Sequence, residues 1–482
     1  MMAKQIGILC YAVRWRVLLK YLGMLGVALA ALNAVPVLAA LVLGEYRLAG
    51  PYALVVTVLL AAALPLARMS ASERLQHNEA LVLVALTFLL GSLAMSYPLG
   101  IASDSWLDGW FEAVSGITTT GLSTAVSVED RPRSFLFARA WMQWYGGLGI
   151  VILSLALVMR NGVAARRLIE TEAISETLVS TTRIFARRII LVYGLLTVCA
   201  VFSVWWTVGD GFVALVHSLS AVSTGGFSSF DDSLASLDAT TISILMLFSW
   251  LGAISFALYY NSWTRGPGAM FSDPEFRALV VTTLMLAALL WMWMPVDGRG
   301  WHEALMLAMS TQSTTGFSTV AIGDLDDASK LAMIGSMLVG GSVGSTAGGF
   351  KLLRLLIFLR LLQLALARAA APRHAVIDAR LGERRMEDDD LWRALAIMLF
   401  FAAWAFLSWL VFVAWGYPAL DALFEVVSAT GTVGLSTGIT RPELEPLLKV
   451  LLCLNMLAGR VEIFALLVVL YPKTWFGKRS EA

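Results

Sequence analysis

The sequence predicts an all-α integral membrane protein: two N-terminal transmembrane helices, then four helix–pore-loop–helix repeats around a single pore. Three observations predict it. Of 482 residues, 59% are hydrophobic and only 14% charged, against about 25% charged in soluble domains. About ten apolar runs are candidate membrane crossings, which take about 20 mainly apolar residues each. Between them lie four shorter segments that repeat one motif.

The first two runs, residues 17–43 and 52–66, lie in the N-terminal region, 1–70. Lys4, Arg14 and Arg16 precede the first of them, and Lys20 lies at its start. That pattern imitates a signal peptide, but the run is too long for an apolar signal core, so it reads as a retained helix. Repeat 1 occupies 75–165, with runs 80–95 and 135–158. Repeat 2 occupies 185–265, with runs 189–206 and 242–260. Repeat 3 occupies 275–365, with 278–294 and an over-long run, 331–362. Repeat 4 occupies 388–475, with 391–415 and 448–471. Within each pair lies a semi-polar segment: 105–123, 210–228, 301–318 and 418–436. None can span the membrane, and each reads as a re-entrant half-helix followed by an extended stretch.

Charge placement gives the orientation. Arg160, Arg166, Arg167, Arg183, Arg187 and Arg188 fall in one link, Arg265 and Arg277 in the next, and Lys351 to Arg393 in a third. Alternate links are acidic, with Asp231, Asp232, Asp238, Asp324, Asp326 and Asp327. Basic links inside place both termini in the cytoplasm. The net charge of +1 gives no field for nucleic acid. Cys10, Cys199 and Cys453, like the four histidines, are dispersed. No metalloenzyme or nucleophile constellation is visible, so the chain is not read as an enzyme.

The repeat aligns on Gly121, Gly226, Gly316 and Gly434. Two residues earlier stand Thr119, Thr224, Thr314 and Thr432; two later, Ser123, Ser228, Ser318 and Ser436. Six earlier stand Ser115, Ser220, Ser310 and Ser428. Four such loops supply what a cation needs to shed its water: rings of backbone carbonyls, with glycine allowing the torsions that aim them inward. The expected selectivity filter is Thr119, Thr120 and Gly121; Thr224, Gly225 and Gly226; Thr314, Thr315 and Gly316; Thr432, Val433 and Gly434. K⁺ is expected at Thr119, Thr120, Thr224, Gly225, Thr314, Thr315, Thr432 and Val433. Thr432-Val433-Gly434-Leu435-Ser436 comes close to the TVGYG filter of K⁺ channels. The competing interpretation, small residues that merely pack helices, does not predict four equivalent loops. Glu112 and Glu425 read as charges at the starts of their half-helices.

Residues 340–349 contain five glycines in ten. Each costs a helix interior about 0.8–1 kcal/mol, so the run should unwind and cross the pore below the filter. The residues expected in that crossing are Gly340, Gly341, Ser342, Gly344, Ser345, Gly348 and Gly349; a GxxxG-like packing face is the alternative. Arg460 lies within an apolar run, where a charge normally faces a cavity or a partner; an Arg460–Glu462 pair or a snorkelling arginine is the alternative.

The chain resembles the Trk/Ktr/HKT superfamily of K⁺ transporters, specifically its TrkH-type potassium uptake subunits. The local matches are Met142-Gln143-Trp144-Tyr145-Gly146-Gly147-Leu148-Gly149, Asp273-Pro274-Glu275-Phe276-Arg277 and Asn455-Met456-Leu457-Ala458-Gly459-Arg460-Val461-Glu462. The resemblance implies K⁺ uptake across the bacterial inner membrane and an intramembrane gating loop at the glycine run. It also implies that Arg460 projects into the pore beside that loop and completes the gate as an electrostatic barrier to cations. It further implies a homodimer in membrane lipid and a cytosolic TrkA-type regulatory partner that binds nucleotide (ATP, ADP or NAD). No covalent cofactor is expected on this chain. The rival function is a secondary transporter coupling K⁺ to Na⁺ or H⁺. A serine at the first filter glycine accompanies Na⁺ transport in plant relatives, and all four positions here are glycine.

Overall fold

The computed structural model describes residues 12–71, 75–103, 105–161, 178–294, 300–370, 380–381, 384–385, 388–461 and 463–476. Apart from a two-residue strand pair, Arg380–Leu381 with Arg384–Arg385, its regular structure is helical. Two long helices, α1 (Trp15–Val42) and α2 (Tyr46–Ala67), form an N-terminal hairpin. The second starts six residues before the expected run, because Tyr46, Arg47 and Pro51 belong to its first turns. Small residues let the two backbones touch: a Cβ at Gly23 would lie 2.4 Å from Ala67 N.

Four units of similar plan follow. Repeat 1 is α3 (His77–Ala102), α4 (Trp106–Ile117) and α5 (Arg133–Asn161). Repeat 2 is α6 (Leu178–Val208), α7 (Gly211–Val222) and the pair α8 (Ala239–Gly252) and α9 (Phe256–Arg265). A single turn, α10 (Gly268–Ser272), leads to repeat 3: α11 (Pro274–Trp293), α12 (Trp301–Gln312), α13 (Asp327–Val339) and α14 (Leu352–Ala370). Repeat 4 is α15 (Asp388–Ala414), α16 (Ala419–Thr430), α17 (Pro446–Arg460) and α18 (Phe464–Leu470), with the short α19 (Pro472–Phe476) after it.

Six described helices are long and apolar enough to cross a membrane: α1, α2, α3, α6, α11 and α15. Each exposes large apolar side chains, such as Leu191, Phe202 and Trp206 on α6, as a lipid-facing surface does. The run 331–362 is broken where its glycines predict. Two other runs expected as single spans are broken as well. Residues 242–260 form α8 and α9, bent by 87°. Residues 448–471 form α17 and α18, parted after Arg460.

The half-helices α4, α7, α12 and α16 are each 12 residues long, or about 18 Å, too short for a hydrocarbon core of about 30 Å. Three of them, α4, α7 and α16, are held by the following helix of the same repeat at a point of contact without side chains. A Cβ at Gly146, Gly252 or Gly459 would lie 2.1, 2.6 or 1.8 Å from the carbonyl oxygen of Ile117, Val222 or Thr430, the last residue of its half-helix. Clasps also join successive repeats. Lys330 of α13 binds Asp421 of α16 at 2.9 Å, and Lys449 of α17 binds Asp108 of α4 at 2.6 Å. On α8, Ser243 meets His302 of α12 at 2.8 Å, and Arg133 of α5 lies over the Phe212 ring of α7.

Candidate ion-conduction site

All four half-helices end in one geometry. In the first, the Thr119 amide donates to Gly116 O at 3.0 Å and the Thr120 amide to Ser115 O at 2.9 Å. This is the paired-bond helix terminus that glycine usually closes with a left-handed residue. Here the left-handed residue is threonine in every repeat: φ is +54° at Thr119, +51° at Thr224, +56° at Thr314 and +50° at Thr432. A β-branched residue is a true outlier there, held at a cost of about 1–3 kcal/mol. Two residues on, the chain is left-handed again at Gly121, Gly226, Gly316 and Gly434.

Those glycines close a ring. A Cβ at Gly121 would lie 2.4 Å from Gly225 O; at Gly226, 1.9 Å from Thr315 O; at Gly316, 2.0 Å from Val433 O; and at Gly434, 2.1 Å from Thr120 O. Each loop thus touches the next and the fourth touches the first, around one axis. The C-terminal, negative ends of the four half-helices adjoin this ring, an arrangement that favours a cation. All twelve residues of the expected filter are brought together. The hydroxyls of Thr119 and Thr432 are buried without a hydrogen-bond partner. A cavity of about 490 Å³ opens beyond the glycines, lined by Ser123, Ser228, Asp231, Asp232 and Ser436 among others.

Side chains behind the ring hold it. The Ser115 and Ser428 hydroxyls accept from the Gly121 and Gly434 amides at 3.0 and 3.1 Å. Glu112 and Glu425 are not at the half-helix starts, as expected from the sequence, but in their middles, fully buried. Glu112 accepts from Ser123 Oγ and Thr124 N and pairs with buried Arg139 at 2.8 Å. Glu425 accepts from Ser436 Oγ, Thr437 N, Thr440 N and Thr440 Oγ1. The corresponding residue in repeat 2 is His217, which bonds Ser228 Oγ at 3.0 Å; in repeat 3 it is Leu307. The spacing of nine residues from each aligned glycine was the signal for this set.

Residues 340–349 lie against the opposite side of the ring. Their ends are stitched together, Phe350 N to Leu338 O and Lys351 N to Val339 O, both at 2.9 Å, so the run leaves and re-enters at one place. Gly348 N donates to the Thr314 hydroxyl at 2.6 Å, and Gly349 N to Gly431 O at 3.1 Å. Farther along, Ser342 N and Thr346 N donate to Ala253 O and Gly252 O, and Phe256 N to Gly344 O. These bonds use the backbone groups that the α8–α9 bend frees. Ser345 Oγ closes on Ser342 O at 2.6 Å. The Glu275 carboxylate accepts from Val343 N at 2.8 Å, which gives the Asp273–Arg277 motif a contact that its sequence did not reveal. Arg460 is 3% exposed and donates to Thr346 O at 2.7 Å; its Nε and Nη2 are buried without hydrogen-bond partners. All the expected gate residues therefore form one cluster. Glu462, the alternative partner of Arg460, lies outside the described residues.

Known proteins share this architecture. The crystal structure of the potassium transporter TrkH from Vibrio parahaemolyticus superposes with a TM-score of 0.84 and 26% identity, covering 96% of this chain and 100% of that one. The Trk system potassium uptake protein TrkH of Halomonas elongata is 30% identical over 481 residues, 95% of this chain and 99% of its own. An uncharacterized cation transporter of Methanocaldococcus jannaschii is 30% identical over 414 residues, 85% of this chain and 86% of its own. Residues 52–475 match the family described as TrkH, cation transport protein. This chain is a multi-pass membrane protein that belongs to the TrkH family of cation transporters, not to a family of enzymes.

Proposed function

We propose that the chain takes up K⁺ across a bacterial inner membrane, with both termini in the cytoplasm, through a filter formed by the four Thr-x-Gly loops. The observation that carries this reading is the set of four left-handed threonines. Glycine would close each half-helix without strain, so threonine there argues for its hydroxyl at the ion path. Carbonyls at Thr120, Gly225, Thr315 and Val433 supply the oxygens that replace water around K⁺. The uptake named for the relatives agrees with this assignment.

Residues 340–349 and Arg460 act as the gate. The loop adjoins the threonine end of the filter and carries a buried guanidinium beside it, a barrier to a cation. A nucleotide-binding partner of the TrkA type docks on the basic inner links and moves this gate, and two copies of the chain form the working assembly in the lipid bilayer.

Reconstitution into liposomes tests the reading. K⁺ and Rb⁺ should enter down their own gradients, with Na⁺ disfavoured. Equal K⁺ and Na⁺ fluxes would refute the filter, and K⁺ flux that stops without a Na⁺ or H⁺ gradient would make the protein a coupled transporter.

A further inference from the structure

Gln143 belongs to repeat 1 by sequence, on α5, yet its side chain is spent on repeat 2. Its Nε2 donates to Gly225 O at 2.5 Å. Its Oε1 accepts from Ser220 Oγ at 2.7 Å and from Phe227 N at 3.2 Å. The residue is 0% exposed. One amide therefore grips the Gly225–Gly226 segment on both sides and ties it to its half-helix.

This contact explains a break in the repeat. Loops 1, 3 and 4 carry Thr120, Thr315 and Val433 where loop 2 carries Gly225. Gly225 is not among the glycines with positive φ, so the position needs no special backbone. It needs room: a Cβ there would lie 2.3 Å from Gln143 Cδ, and the three nearest atoms all belong to Gln143. In repeats 1 and 4 the serine six residues before the glycine accepts from that glycine's amide. In repeat 2 the equivalent Ser220 donates to Gln143 instead, and Gln143 takes over the anchoring.

We propose that Gln143 is a positioning residue for ion selectivity, fixing the Gly225 carbonyl within the ring. The inference rests on the filter reading above. A carbonyl ring discriminates ions by the number, spacing and field strength of its dipoles. An amide donor on one oxygen fixes its position and draws on its lone pairs. Without that donor, the Gly225 peptide is free to turn toward a smaller ion, and Phe227 N and Ser220 Oγ lose a buried partner.

The test is the ratio of K⁺ to Na⁺ flux in liposomes for the parent, Gln143→Leu, Gln143→Glu, Gln143→Ala, Gly225→Ala and Gln143→Ala/Gly225→Ala. Gln143→Leu removes the donor; Gln143→Glu keeps both acceptor contacts but turns an oxygen toward the carbonyl. Each should lower the ratio about tenfold while total cation flux persists, the size expected for one buried hydrogen bond acting on one ion more than the other. A merely structural role would lower both fluxes together and leave the ratio alone. Gly225→Ala should lower the ratio too, by displacing Gln143, and the double variant should be no worse than Gln143→Ala. A well-folded Gln143→Leu with the parent's ratio overturns the inference while leaving the filter reading standing. If neither Gln143 variant can be purified, a Gly225→Ala protein with the parent's ratio overturns it equally. A parent without preference refutes the filter, and this inference with it.

Discussion

The strain stored at Thr119, Thr224, Thr314 and Thr432 and the crowding at the glycines leave little tolerance in the ring. Gly121→Ser combines both problems: its φ is +94°, and its Cβ would meet Gly225 O at 2.4 Å. We expect it to lower the K⁺ to Na⁺ flux ratio while transport continues; an unchanged ratio would show that this position does not shape the filter. Behind the ring, Glu112→Gln leaves Arg139 buried without its counter-charge. Removing one partner of such a pair costs about 3–5 kcal/mol, so the variant should melt well below the parent in detergent. Asp231 joins loop 2 to loop 1 by accepting from Ser127 Oγ and Val128 N at 2.8 and 2.6 Å. Burial alone would raise its pKa, but these bonds together outweigh it and hold the carboxyl below the usual range. A depressed pKa means that the clasp holds at neutral pH and is lost as pH falls through the folded value. Asp231→Asn should therefore speed proteolysis of these two loops at neutral pH, whereas at pH below the carboxylate range variant and parent should be cut alike.

Among elements, the glycine run and the last long helix act on one another through Arg460 and Thr346. Deleting part of 340–349, or replacing Arg460 by Ala, should raise K⁺ flux without any activator, because neither supplies filter oxygens. The two gains should not add, since both act on one barrier. A shortened loop that folds, reaches the membrane and conducts less than the parent would reassign the run to packing. The unwinding of this stretch was legible because five glycines in ten residues weigh heavily against a continuous helix. The bend between α8 and α9 was not. Gly252-Ala253-Ile254-Ser255 contains no proline, and the helix opens there because its freed carbonyls are taken up by Ser342 N and Thr346 N from another repeat. A tertiary hydrogen bond of that kind leaves no local signature. The same limit applies to Glu112 and Glu425, whose charge was visible but whose position in mid-helix and partners across the loop were not.

Across the whole molecule, the repeat frame was readable because period and flanks recur four times, whereas the departures from symmetry only gain meaning in three dimensions. Among the described residues, repeat 4 is ion-paired on both flanks, through Lys330–Asp421 and Lys449–Asp108, while the other two junctions carry hydrogen bonds and ring contacts, among them Asp231 with Val128 N, Ser243 with His302 and Arg133 over Phe212. Lys449 is 5% exposed, so Lys449→Met should strand Asp108 and cost about 3–5 kcal/mol. Thermal unfolding in detergent would register that loss; an unshifted midpoint would mean the junction is held by packing alone.

The stitched loop at 340–349 belongs to one unit of four. Four identical chains around an axis would each send such a loop to the same small volume, and the copies would collide. Joining the units into one polypeptide removes that restriction, because each quarter can drift by itself: one supplies the stitched loop and trades a carboxylate for a leucine, while another gives up a side chain to admit a glutamine. A pore of this kind can be blocked and reopened by a single moving part, with no need to coordinate four.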